Sequence, residues 1–199
     1  MYSLEEGETA VKIARQVIEC FVKGKPYPDF SYPDVFDKES GVFVTINTHP
    51  EDRLRGCIGY PSPVYSLREA LVKAAEGSTE DPRFPRLSEK ELDKITVEVS
   101  ILTPPELIKV SKPLDYPKKI EIGRDGLIVE RGLYRGLLLP QVATEWKWNE
   151  EEFLSQTCMK ANLPPDAWFE KDTKIFKFNS KIFGEVSPRG EVEERTPGV

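Results

Sequence analysis

The sequence predicts an α+β fold, an antiparallel sheet flanked by helices. Runs of alternating residues come in pairs separated by short turns, at 42–47 with 54–60 and again around 127–139, and hairpin-linked strands are antiparallel. Helical stripes fall between them without a regular strand–helix–strand rhythm, so nothing asks for parallel crossovers. The 199 residues suffice for one sizeable core, or one domain with a smaller lobe, and are short for two independent domains.

Each element has its own signal. Ser3 and Glu6 form a capping-box signature, and Val11, Ala14, Val17, Ile18, Phe21 and Val22 make a helical stripe that Gly24 and Pro26 end. Residues 25–37, with three prolines and four aromatics, read as an extended, surface-packed connection. Val42, Val44 and Ile46 alternate with Phe43, Thr45 and Asn47, residues 48–53 turn the chain, and 54–60 return as a second strand. Val64, Leu67, Leu71 and Ala74 predict a helix ending at Gly77, and Ser88 with Glu91 caps a short helix through Leu92. Residues 95–102 are the strongest strand signal, stopped by Pro104 and Pro105. Short strands are expected at 120–122, 127–130 and 137–139, then a helix from about Pro140 to Lys147 and another capped by Asn149. A last hairpin is expected to turn at Asn179-Ser180, and 187–199 to form a flexible tail.

Composition narrows the partners. Thirty-four acidic against 28 basic side chains give a net charge of −6, the opposite of a nucleic-acid binder's footprint. The densest basic cluster, 112–119, is broken by proline and diluted by Asp115, so no nucleic-acid partner is expected. No apolar run approaches the ~18 residues of a membrane span, and the first residues lack the basic and apolar regions of a secretory signal. A cytoplasmic protein with no membrane partner is expected. Cys20, Cys57 and Cys158 are widely spaced and His49 is the only histidine, short of the close ligand pairs zinc takes. No metal and no cofactor are expected. Seven Asn and Gln residues, two Met, three Cys and 17 Pro fit a thermophile's profile.

The most unusual hexapeptide is LRGCIG, residues 54–59. As a strand it sets Leu54, Gly56 and Ile58 on one face and Arg55, Cys57 and Gly59 on the other. Glycine weakens a strand and is used where a bulge forms or another group must approach the backbone. Cys57 is then either a thiolate of lowered pKa beside an arginine or a small buried side chain in a crowded sheet. Asp81-Pro82-Arg83-Phe84 places ionic groups and an aromatic on a rigid loop. Its guanidinium fork suits a carboxylate or phosphate, or Asp81 and Arg83 simply anchor the loop. Glu98 lies mid-strand with Thr96 and Ser100 on its face, solvated or lining a cleft, and Gln141 and Glu145 share a helix face. A dyad of Cys57 with His49 would require the first hairpin loop to fold back over its own strand.

LRGCIG, then DPRF, VEVSILTPPE and RGLLLPQVATE, together resemble the AMMECR domain family, of which the chain is identified as an archaeal member from the first helix to about Gly184. The resemblance implies one domain over 1–199 made of a larger and a smaller subdomain with a cleft between them. The positions it marks are 54–59, Asp81, Arg83, Phe84, Glu98, Gln141 and Glu145; His49 is not among them. Bacterial relatives linked to dioxygenase-like and radical-SAM proteins imply an enzymatic context, the human relative a nuclear, regulatory one.

These positions support two expectations. In one, an intracellular enzyme acts on a small-molecule or peptide-like substrate, with Cys57 as nucleophile or redox centre and Glu98 or Glu145 moving protons. Arg55 and Arg83 hold an anion there, and Gly56, Gly59, Asp81, Phe84 and Gln141 complete the substrate site. In the other, a non-catalytic protein-binding or regulatory module uses the same residues as a docking groove. The two part at Cys57, because a docking groove has no need of a thiolate.

Overall fold

Ser3 opens helix α1 (Leu4–Val22) as a capping box should: its hydroxyl accepts from the Glu6 N–H, and the Glu6 carboxylate accepts from the Ser3 N–H at 2.7 Å. The computed structural model describes residues 2–195. Among them the strands pair antiparallel throughout and helices flank the sheet, an α+β fold. The chain divides into a larger unit, built from residues up to Leu102 and again from Lys181, and a smaller unit, Thr103–Ser180.

In the larger unit β1 (Val42–Thr48), β2 (Leu54–Tyr60) and β3 (Ile95–Leu102) lie in the order β2-β1-β3, followed by the last residues of β7 (Lys174–Glu185), on which β8 (Val192–Arg195) pairs. Val42, Val44 and Ile46 alternate inward from β1, and Val97, Val99 and Ile101 from β3. They meet the apolar stripe of α1 and the Leu71–Ala74–Ala75 face of α2 (Leu67–Thr79). An ion pair enters this core. Arg15 of α1 pairs with the Glu185 carboxylate, and its other N–H groups reach the carbonyls of Leu92 at 3.2 Å and Ile95 at 2.8 Å. Glu185 also accepts from the Val97 N–H at 3.0 Å, so both buried ions are hydrogen-bonded on several sides, the condition for burying them at all.

The smaller unit contains β4 (Glu106–Leu107), β5 (Asp125–Arg131), β6 (Tyr134–Leu138), α3 (Pro140–Glu145), α4 (Glu150–Lys160) and the first residues of β7. β7 lies between β4 and β5, and β6 follows β5. Asn149 and Glu152 cap α4 reciprocally, both bonds 2.9 Å. The helix buries Phe153, Leu154 and Cys158 against Leu127, Val129, Ile175 and Trp168.

Three expectations are corrected. The hairpin about Asn179-Ser180 is one continuous strand, β7: Asn179 pairs with Asp125 on one side and exchanges hydrogen bonds with Thr103 on the other, at 2.8 Å. Within the segment expected as a flexible tail, Val192–Arg195 form β8 and Arg189 pairs with Glu19 and Asp93; residues 196–199 lie outside the described residues. No strand forms at 120–122, where a 3-10 turn at Pro117–Lys119 and the Asp125 carboxylate, which accepts from the Glu121 N–H, hold the chain. The short helix after Ser88 is present as a 3-10 helix, Glu89–Lys94, with the expected capping box of Ser88 and Glu91.

Candidate functional site

The site grows from the register of three strands. Cys57 on β2 stands opposite Thr45 on β1, and Thr45 stands opposite Glu98 on β3. Side chains directly across an antiparallel pair share a face, so Cys57, Thr45 and Glu98 form one row. It lies on the face away from α2, because Gly56 and Ile58, of the other parity, are the residues that meet that helix. The Thr45 hydroxyl donates to Cys57 Sγ at 3.3 Å.

β2 is the edge strand, and the DPRF loop closes that edge at Cys57. The Cys57 N–H donates to Asp81 Oδ2 at 2.9 Å, and Arg83 Nη2 donates to the Cys57 carbonyl at 3.3 Å. Arg83 grips Asp81 with Nε at 3.0 Å and Nη2 at 2.6 Å, and its own backbone N–H adds a bond of 3.0 Å. Asp81 and Arg83 thereby supply to one residue of the edge the acceptor and donor that a neighbouring strand would supply. Since the N–H and C=O of Cys57 point outward, Cys57 and Thr45 are a non-hydrogen-bonded pair, the kind whose side chains approach most closely.

Electrostatics separate the members of this group. Hydrogen bonds from Arg83 hold the Asp81 carboxyl well below the usual carboxylate range, against the burial that opposes them. Burial pushes the Cys57 thiol up, and the Thr45 hydroxyl and Arg83 charge do not reverse it. Glu98 is also pushed up by burial, although Arg195 Nη1 donates to it at 3.1 Å. The row therefore favours a neutral thiol beside a hydroxyl and a carboxyl group reluctant to ionise.

The other expected site residues fall in several places. The fork of Arg55 is occupied by Glu91, at 2.7 and 3.3 Å, and Glu91 also caps Ser88. Gly56 belongs to the helix-facing side, where a Cβ would stand 2.2 Å from the Ser78 carbonyl oxygen. Gly59 lies under the Phe43 ring, 2.3 Å from where its Cβ would be. Phe84 lies beneath the guanidinium of Arg83, 5.6 Å from ring centroid to Cζ, while the Arg83 side chain remains 57% exposed. Gln141 and Glu145 are on α3 of the smaller unit, half-buried and exposed. His49 follows β1, four residues beyond Thr45, roughly 13 Å along an extended chain, and its N–H is held by the Lys94 carbonyl. Thr45, Glu91 and Arg195 escaped sequence reasoning. Strand alternation does put Thr45 on the right face, but nothing local marks Arg195 as the partner of Glu98.

Chemically, the row offers hydrogen-bond donors and acceptors more readily than a nucleophile. Cys57 has no imidazole among its neighbours, and Glu98 stands two strands away, about 10 Å between backbones. Among the described residues no three His, Cys, Asp or Glu side chains are grouped to hold a metal ion, all three cysteines are free thiols, and no helix is long and apolar enough to cross a membrane.

The model of the AMMECR1 family matches residues 11–183. Protein MJ0810 of Methanocaldococcus jannaschii is 55% identical over 98% of both chains, and Protein TK0174 of Thermococcus kodakarensis is 51% identical over 98% of both. The crystal structure of the uncharacterized protein PH0010 from Pyrococcus horikoshii superposes with a TM-score of 0.79 at 51% identity, covering 96% of this chain and 97% of that one.

Proposed function

The chain belongs to the AMMECR1 family, and from that premise and the geometry around Cys57 we propose a non-catalytic recognition module. Its polar row, Cys57, Thr45 and Glu98, with Arg83 and Phe84 at the strand edge, takes up a small polar or peptide-like ligand by hydrogen bonding. The observation that carries this reading is the clamp of Asp81 and Arg83 on the backbone of Cys57. It spends the charged pair on holding the strand in place, while burial pushes the Cys57 thiol above its ordinary pKa, which suits a rigid recognition surface and not a nucleophile.

Alkylation of the native protein by iodoacetamide across pH 6 to 10, with the site mapped by peptide mass and Cys57→Ser as control, tests it. Cys57 is expected to react only as pH rises past the free-thiol value of ~8.5. Labelling with an apparent pKa clearly below that value would overturn the recognition reading in favour of a catalytic thiolate. A second reading, proton transfer by Glu98 in an enzyme, draws on the raised carboxyl of Glu98. It requires the same low-pKa thiol or a ligand-dependent activity lost in Glu98→Gln.

A further inference from the structure

The basic segment near residues 109–119 plays no part in the site above, yet it borders the open edge of the smaller unit's sheet. A pocket of about 620 Å³ there is lined by Pro105 to Lys109, Lys119 and Lys177. Among the described residues β4 pairs only with β7. The Ile108 N–H donates to the Ile175 carbonyl at 2.8 Å, so Ile108 points toward β7. Its neighbour Leu107 therefore turns its N–H and C=O to the free side, where no hydrogen-bond partner meets them among the described residues, and its side chain is 40% exposed. An edge left this way is a template for one more strand.

The charges around that edge choose the strand. Three lysines and one glutamate, Glu106, line the pocket. Lys109 and Lys119 have no ion pair among the described residues. Lys177 spends one N–H on the Lys119 carbonyl, at 3.0 Å, and stands 3.7 Å from Asp125, a carboxylate already held by Arg124 and the Glu121 N–H. Pro104 and Pro105 precede β4 and restrict it to two residues, so a visiting strand finds one backbone anchor and a cluster of ammonium groups.

We propose that the pocket beside β4 binds an acidic, extended peptide segment of a partner protein, which adds to the sheet edge at Leu107 and sets its carboxylates among Lys109, Lys119 and Lys177. The test uses the full chain and a fluorescein-labelled six-residue peptide of alternating glutamate and valine, followed by anisotropy. A peptide with lysine in place of glutamate, and inorganic tripolyphosphate, are the comparison arms. Two variants divide the two contributions. Lys109→Glu with Lys119→Glu reverses the charge. Leu107→Pro deletes the outward N–H without touching the ladder to β7. Each is expected to weaken the acidic peptide by about tenfold or more, with circular dichroism melts confirming that the variants are folded, and the lysine peptide is expected not to bind. Absence of binding by the acidic peptide would overturn the proposal, as would indifference to the charge reversal. Complete displacement by tripolyphosphate with undiminished peptide binding in a folded Leu107→Pro would overturn it in favour of a simple anion pocket.

Discussion

Asp81 is the residue on which the candidate site turns, for its one buried carboxylate serves Cys57 and Arg83 together. Because its folded pKa lies below the unfolded value near 3.9, the stability it contributes is present above that value and is lost as pH falls toward the folded one. Asp81→Asn is expected to lower stability at pH 7 by about 1–3 kcal/mol, measured by urea unfolding. The difference from the parent protein should shrink steadily below about pH 4. A difference that stays constant down to pH 2 would mean that the ion pair contributes little. The sequence singles out both DPRF and LRGCIG, but not that one clamps the other. The contact joins residues 24 apart on a helix exit and a strand edge, and no local period records such a meeting.

At the scale of elements, the packing of α2 on β2 rests on two glycines that behave differently. Gly56 is approached by the backbone carbonyl of Ser78, which cannot step aside, whereas a Cβ on Gly77 would meet only the Ile58 side chain, at 2.9 Å. Gly56→Ala is expected to destabilise by about 1–3 kcal/mol through overpacking. Gly77→Ala is expected to be close to neutral, since a gain in helix propensity of about 1 kcal/mol offsets the crowding. Thermal melts of the two variants check this directly. Elements with strong local signals were readable: α1 and α4 carry capping boxes, and β1 and the middle of β3 carry period-two burial. β7 was not, because Asn179-Ser180 carries a turn's local preference while Asp125 and Thr103, far away in sequence, hold it straight. β8 was hidden for another reason: it is the return arm of a hairpin with the last residues of β7, Glu185 opposite Val192, but its charged sequence carries no strand alternation.

For the whole molecule, the buried pair of Arg15 and Glu185 ties the first helix to the last residues of β7. Removing one partner leaves an uncompensated charge in the core, so Glu185→Ala is expected to cost about 3–5 kcal/mol. The double replacement Arg15→Met with Glu185→Leu should recover much of that loss, read from denaturant midpoints. Equal destabilisation by the single and the double change would assign the cost to lost packing instead.

The same pair imposes an order of events while the chain is being made. The larger unit takes its residues from both sides of the smaller one, and Arg15 leaves the ribosome 170 residues ahead of Glu185. Until translation reaches Glu185, the nascent first helix holds a cation whose counter-ion does not yet exist, although all of Thr103–Ser180 has by then been made. The larger unit, begun first, can thus be finished only after the last residue of the insertion has been made.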